Sequence, residues 1–134
     1  MQNNKRIKET LMFLKDRQLS FKNAFEGFYY ALRTQKNAWI HATITIFVIV
    51  LSFLLKLSPF EWAAIIIVIG LVWMAELLNT ALEAIVDIIC PETHPLAKIA
   101  KDVAAAFVLI ATIISIIIGS IVFIPKFIDF IKNI

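Results

Sequence analysis

The chain has a single cysteine, Cys90, so neither a disulfide framework nor a CxxC redox pair can form within it. Glycine is almost as scarce. Gly27, Gly70 and Gly119 stand alone, and neither GxxxxGK[ST] nor GxGxxG occurs. A glycine-rich phosphate cradle is therefore excluded, and any nucleotide would have to be held by side chains and a metal. Charge is thin as well, at 17% of residues, while apolar residues reach 60% against roughly 45–50% in ordinary soluble domains. Polarity this low points to an all-α membrane protein. At 134 residues there is room for one domain, 1–134.

Long apolar runs fill most of what remains. A membrane helix needs about 20 mostly apolar residues to cross roughly 30 Å of hydrocarbon. Ala38 to Leu55 carries no Asp, Glu, Lys or Arg, and its one titratable group is His41. "KLSPFE" interrupts the run, with Pro59 as a breaker. Trp62 to Ala75 is uncharged, and the helical pattern then continues to Ile89. "CPETHP" breaks the chain again before the charge-free run Val103 to Ile124. Three membrane helices are predicted, over about 38–56, 61–89 and 97–124.

Lysine and arginine orient them. Lys5, Arg6, Lys8, Lys15, Arg17, Lys22, Arg33 and Lys36 precede Ala38, and Lys98 and Lys101 fall on the same side. Lys56, Lys126 and Lys132 fall on the other. A multi-pass protein of the cytoplasmic membrane with its N-terminus inside is expected, with Trp39 and Trp62 at the interfaces. The basic first segment is followed by no short apolar core or A-x-A site, so it does not read as a secretory signal. Within it, Phe21, Phe25, Phe28 and Leu32 recur at spacings of 4, 3 and 4, which gathers them on one helical face, and Ile7, Leu11 and Leu14 repeat the pattern more weakly. Residues 1–37 thus read as an amphipathic helix lying in the membrane interface; the alternative is a cytosolic helix packed on a partner. The aromatic residues are accounted for by lipid, so nucleic acid is not expected as a partner.

Against this apolar background, "MAELLNTALEAIVDII" is costly. On a helix, Glu76, Asn79, Glu83 and Asp87 project at about 0°, 300°, 340° and 20°, an arc of about 80°. Counting about 20 residues inward from Glu61 puts the inner interface near Ala81. Glu76 then sits roughly 7 Å inside the hydrocarbon edge, while Glu83 and Asp87 emerge at the headgroups. Lys101 and Asp102 of the third span re-enter at the same depth. A single Asn or Glu in a span is often glue between helices, but four polar groups in one arc mark a functional site. Carboxylates near the interface suit Mg²⁺, which takes carboxylates together with phosphate oxygens, and a lysine beside them can meet a phosphate as a point charge. A base under the headgroups with a nucleotide site above them suits phosphorylation of a lipid alcohol by ATP. A proton- or cation-coupled transporter would also use a buried Glu76.

The stretches "AELLNTALEAIVDII" and "HPLAKIAKDVAAAFVLIAT" resemble the small prokaryotic integral-membrane lipid kinases, diacylglycerol kinase and undecaprenol kinase, through E-x-x-N-[ST]-x-x-E-x-x-x-D followed by A-K-D. The resemblance covers roughly residues 20 to 125, and "FKNAFEGFYYALRTQKN" with "IH" is similar to the undecaprenol kinase branch of Gram-positive bacteria. It implies a homotrimer of three-helix chains, each with an interfacial N-terminal helix, using ATP and Mg²⁺. It implies Glu76 as the base toward the lipid substrate, aided by Asn79, and Glu83 as a metal ligand at the nucleotide. Lys101 and Asp102 would meet the nucleotide, Glu92, Thr93 and His94 would lie near its base or ribose, and Asp87 would support them. The chain departs at Thr34-Gln35-Lys36-Asn37, where the family carries [ST]-E-x-N. Gln35 offers the metal an amide oxygen without a charge, so a catalytically weakened homologue acting as an interaction subunit is a further alternative.

Three features remain. Ala111, Ser115 and Gly119 recur every four residues, a small-residue face suited to helix packing in an oligomer. Cys90 and His94 are too few for a structural zinc, which takes four ligands. His41 reads as a polar residue at the inner mouth of the first span, with a proton shuttle as the alternative.

Overall fold

A computed structural model of the chain describes residues 2–132, with side chains described at residue 6 and from residue 12 onward. It contains four helices in sequence: α1 Gln2–Thr34, α2 Lys36–Leu54, α3 Pro59–Ile89 and α4 Pro95–Lys132. The chain divides into two compact units, one ending at Thr34 and one beginning at Gln35.

The first unit is the single helix α1. At 1.5 Å per residue it is about 50 Å long. Phe21 and Phe25 are well exposed on it, as are Tyr29 and Tyr30. Lys22 and Glu26 pair at 3.7 Å along one turn, and the Arg17 guanidinium lies 4.9 Å over the Phe13 ring, both at the i,i+4 spacing that helices bring together. Of the weaker apolar repeat, Ile7 and Leu11 lie outside the described side chains, and Leu14 is exposed.

In the second unit, α2, α3 and α4 are each long and apolar enough to cross a membrane. Their outward faces are hydrocarbon: Ile46, Ile67, Ile116 and Ile121 are all more than half exposed, a surface no water-facing domain presents in such density. The three helices run antiparallel in chain order. Along α2 and α3, Gln35 meets Glu83, His41 meets Glu76, Thr45 meets Trp73 and Phe53 meets Trp62. Along α3 and α4, Asp87 meets Lys101, Ala75 packs with Ala111, and Glu61 meets Lys126 at 3.1 Å. The α3–α4 pair is much the more intimate. Its core is small residues at the middle, Val72, Ala75 and Ala111, and larger ones at the end near the α2–α3 turn, Leu57, Ile65 and Val122.

That turn is well specified. α2 ends with the N–H of Lys56 on the Phe53 carbonyl and that of Leu57 on the Ser52 carbonyl, a Schellman closure with Leu57 folded back into the core. Lys56 takes the left-handed conformation this requires, at φ 50°. Ser58 then caps α3, its hydroxyl accepting from Glu61 N while the Glu61 carboxylate accepts from Ser58 N at 2.6 Å. Pro59 therefore starts a helix more than it breaks one, at the position where its missing N–H costs nothing.

Five span boundaries differ from the sequence expectation, among them the end of α2 at Leu54 and the start of α4 at Pro95. α3 begins at Pro59, not Glu61. The helical chain breaks at Gln35, whose backbone is extended, so α2 begins at Lys36. And α4 runs through Pro125 to Lys132 instead of ending at Ile124. Proline deletes one backbone hydrogen bond, and the Lys126–Glu61 ion pair one residue later ties this stretch back to the start of α3. Of the small-residue face on α4, Ala111 alone is packed in the helix interface; Ser115 and Gly119 line a cavity beside it.

Candidate active site

The polar arc of α3 exists, and its members face different neighbours. Glu76 is the deepest, 1% exposed. Among the described residues its carboxylate has no hydrogen-bond partner at either oxygen; His41 of α2 stands beside it, with Nε2 3.9 Å from Glu76 Oε2. One turn on, Asn79 is 6% exposed and donates from Nδ2 to Glu83 Oε1 at 3.2 Å, leaving its own Oδ1 without a partner. Three buried polar atoms without partners in one small region is unusual, since buried polar groups are nearly always satisfied. Such atoms are ones that a bound ligand can satisfy. Thr80 beside them is satisfied internally, donating to the Glu76 carbonyl at 2.8 Å.

Glu83 is held from two sides. Besides Asn79, the Gln35 side chain donates from Nε2 to Glu83 Oε2 at 2.7 Å. Gln35 thus reaches Glu83 from the break before α2, where its side chain makes no capping bond of its own. The pair can accommodate a hard divalent cation: Glu83 supplies a carboxylate, and turning the Gln35 amide about its last bond replaces the N–H with an oxygen. Mg²⁺ accepts so sparse a protein set because waters and substrate phosphates complete its shell. Bound there, it would supply positive charge beside the phosphates. Among the described residues no group of three or more His, Cys, Asp or Glu side chains gathers to hold a metal by itself.

The third neighbour is α4. Lys101 pairs with Asp87 across the α3–α4 turn, and Glu83 is close enough to act on the same ammonium. Around that pair opens a cavity of about 580 Å³, lined by Asp87, Glu92, Thr93, His94, Lys98, Lys101 and Asp102 among others. Every residue expected to meet the nucleotide, apart from Glu83, therefore borders one space. Within it, Asp102 does not pair with Lys101. It lies 4.0 Å from Lys98, one turn back on the same exposed helix face, because successive residues on a helix diverge by about 100°. Cys90 and His94 are engaged locally, Cys90 Sγ donating to the Glu92 carbonyl and His94 Nδ1 accepting from Leu96 N.

Two further spaces are lined by His41, the neighbour of Glu76. An apolar cavity of about 510 Å³ runs from His41 along Val48, Ile65, Val68, Ser115 and Phe123 to Ile124. A smaller one of about 340 Å³ is lined by Asn37, Ile40, His41, Asn79 and Thr112 with its apolar neighbours. Sequence reasoning found the acidic arc and Lys101, but not the contact of His41 with Glu76. The available signal was that His41 is the one titratable group in its span.

Residues 22–123 match the family model described as Prokaryotic diacylglycerol kinase. The chain is 45% identical over 107 residues to the undecaprenol kinase of Bacillus subtilis, covering 80% of this chain and 87% of that protein. It is 43% identical over 108 residues to a diacylglycerol kinase of Synechocystis, covering 80% of this chain and 62% of that longer protein. A Helicobacter pylori diacylglycerol kinase is 37% identical over 100 residues. The chain belongs to the prokaryotic diacylglycerol kinase family and is a lipid kinase.

Proposed function

We propose that the chain transfers the γ-phosphoryl group of ATP, with Mg²⁺, to the hydroxyl of undecaprenol at the cytoplasmic face of the membrane. The observation that carries this reading is Glu76: a buried carboxylate without hydrogen-bond partners among the described residues, whose neighbour His41 lines an apolar cavity, and which shares α3 with Asp87 of the Lys101–Asp87 cavity. The lipid oxygen attacks the γ-phosphorus, the bond to the ADP oxygen breaks, and the hydroxyl proton passes to Glu76, with Asn79 positioning the reacting groups. Lys101 balances phosphate charge, and Glu83 with Gln35 holds the cation. Glu92, Thr93 and His94 line the nucleotide's base or ribose, with Asp87 and Asp102 supporting Lys101 and Lys98. Catalysis is then positioning plus electrostatic neutralisation, as phosphoryl transfer generally demands.

Undecaprenol is preferred because the Bacillus subtilis relative named for it is 45% identical over most of both chains. Diacylglycerol is the second reading, favoured by the names of the other relatives. A transporter, which would leave Lys101 without a task, loses its support once the chain stands in a kinase family. The N-terminal basic excess supports a cytoplasmic N-terminus, and the exposed Phe21 and Phe25 support α1 as an interfacial helix. A homotrimer accords with how little three helices can enclose by themselves. The test is transfer of label from γ-labelled ATP to undecaprenol and to diacylglycerol in mixed micelles. Product on undecaprenol alone is expected; product on diacylglycerol alone would reverse the substrate, and none on either, from folded protein, would refute the reading.

A further inference from the structure

We propose that His41 relays the proton that Glu76 removes from the lipid hydroxyl, passing it toward the cytoplasmic side; this rests on Glu76 being the base. Three observations converge on His41. Its Nε2 lies 3.9 Å from the Glu76 carboxylate, and its side chain is 13% exposed beside the buried Glu76 at 1%. The Glu76 carboxylate has no hydrogen-bond partner among the described residues, although a neighbour two turns along α3, Glu83, acts on it electrostatically. And His41 borders both spaces at this level, the apolar cavity and the smaller one that Asn37, Asn79 and Thr112 make polar.

A buried base has a problem that an exposed one lacks. Once protonated, Glu76 can return to its working state only if the proton leaves, and apolar side chains offer it no path. Asn79 has no titratable proton, and Thr80 is committed to the Glu76 carbonyl. α4 lines the smaller cavity with Ala105, Val108, Leu109 and Thr112, none of them titratable. On α2 itself, Lys36 is exposed and a turn and a half away. Among the described residues, His41 is the group with a basic nitrogen in reach. A shift of about 1 Å brings Nε2 to hydrogen-bonding distance, the kind of tightening common when a substrate binds. The balance is simple: the hydroxyl O–H bond breaks as its oxygen bonds phosphorus, Glu76 holds the proton, and neutral His41 takes it at Nε2. The imidazolium then releases a proton from Nδ1 to water in the smaller cavity. His41 acts through Glu76 and is a positioning and relay residue, not one that touches the phosphoryl group.

The test compares wild type, His41→Gln and Glu76→Gln in mixed micelles across pH 5.5 to 8.5, with ATP and lipid each varied. Glutamine keeps the size and a hydrogen-bonding end but cannot carry a second proton. His41→Gln should lower kcat by about 10- to 100-fold with the KM for ATP unchanged, at or below the low end of the roughly 100- to 10,000-fold that a group transferring the proton itself contributes. Wild-type kcat should rise with pH through a limb that vanishes in His41→Gln. His41→Ala should recover activity when imidazole is added, since cavities adjoin the site. A kcat for folded His41→Gln within twofold of wild type overturns the relay while leaving the Glu76 reading intact, provided Glu76→Gln is inactive. An active Glu76→Gln overturns the base itself. Should His41→Gln not fold, absence of the limb from the wild-type profile overturns the relay by itself.

Discussion

Replacing Gln35 by glutamate puts a second carboxylate where the amide now donates to Glu83 at 2.7 Å. Without a cation the two like charges would splay to about 5 Å. At an effective dielectric constant of 20, suited to a partly buried pair, their repulsion is about 3 kcal/mol. The lost hydrogen bond adds about 1 kcal/mol. Solvent access and side-chain relaxation reduce the sum, and we expect Gln35→Glu to destabilise the metal-free protein by about 1–3 kcal/mol. A divalent cation between the carboxylates removes the repulsion and returns the same free energy to binding. At 1.4 kcal/mol per tenfold, the Mg²⁺ concentration for half-maximal activity should fall by about 10- to 100-fold. Two assays check this: thermal unfolding in detergent with EDTA against Mg²⁺, and an Mg²⁺ titration of lipid phosphorylation. The variant should melt below wild type in EDTA and at or above it in Mg²⁺. Equal Mg²⁺ midpoints, with no difference in melting that depends on the metal, would refute the assignment of Gln35 and Glu83 to the cation.

Glu76→Gln should abolish turnover while leaving the KM for ATP, or nucleotide binding measured directly, near wild type; steady-state kinetics with a nucleotide-binding titration decides this. Lys101→Ala should raise the KM for ATP by about tenfold or more, because it removes the cation that pairs with Asp87 across the α3–α4 turn, and an unchanged KM would move the nucleotide elsewhere. Lys56→Gly should stabilise the fold by about 1 kcal/mol, since Lys56 sits at φ 50°, where a side chain is strained and glycine is not. The midpoint of thermal unfolding in detergent is the readout, and no upward shift would mean that the turn is not a rigid part of the cooperative unit.

Local order in the sequence carried much of this protein. An uncharged run from Val103 to Ile124 can hardly be anything but a span, because hydrocarbon admits no unpaired backbone. The spacing of Glu76, Asn79, Glu83 and Asp87 placed them on one side of one helix by geometry alone. Boundaries were less legible where they depend on partners. Nothing in Thr34-Gln35-Lys36-Asn37 forbids a continuous helix, yet the chain breaks at Gln35, whose side chain bonds Glu83, 48 residues away. Pro125 reads as a stop, yet α4 passes through it and is held by Lys126 on Glu61.

Periodicity and composition by themselves determined the class of protein, the three spans and the acidic arc, since these follow from 100° per residue and from the cost of charge in lipid. The tertiary structure decided which neighbour each member of the arc faces: His41 for Glu76, Gln35 for Glu83, Lys101 for Asp87. Those pairings join residues 35, 48 and 14 positions apart. They depend on the register between antiparallel helices, which is set by how Val72, Ala75 and Ala111 pack and by how the turn at Lys56 closes, and no local pattern encodes it.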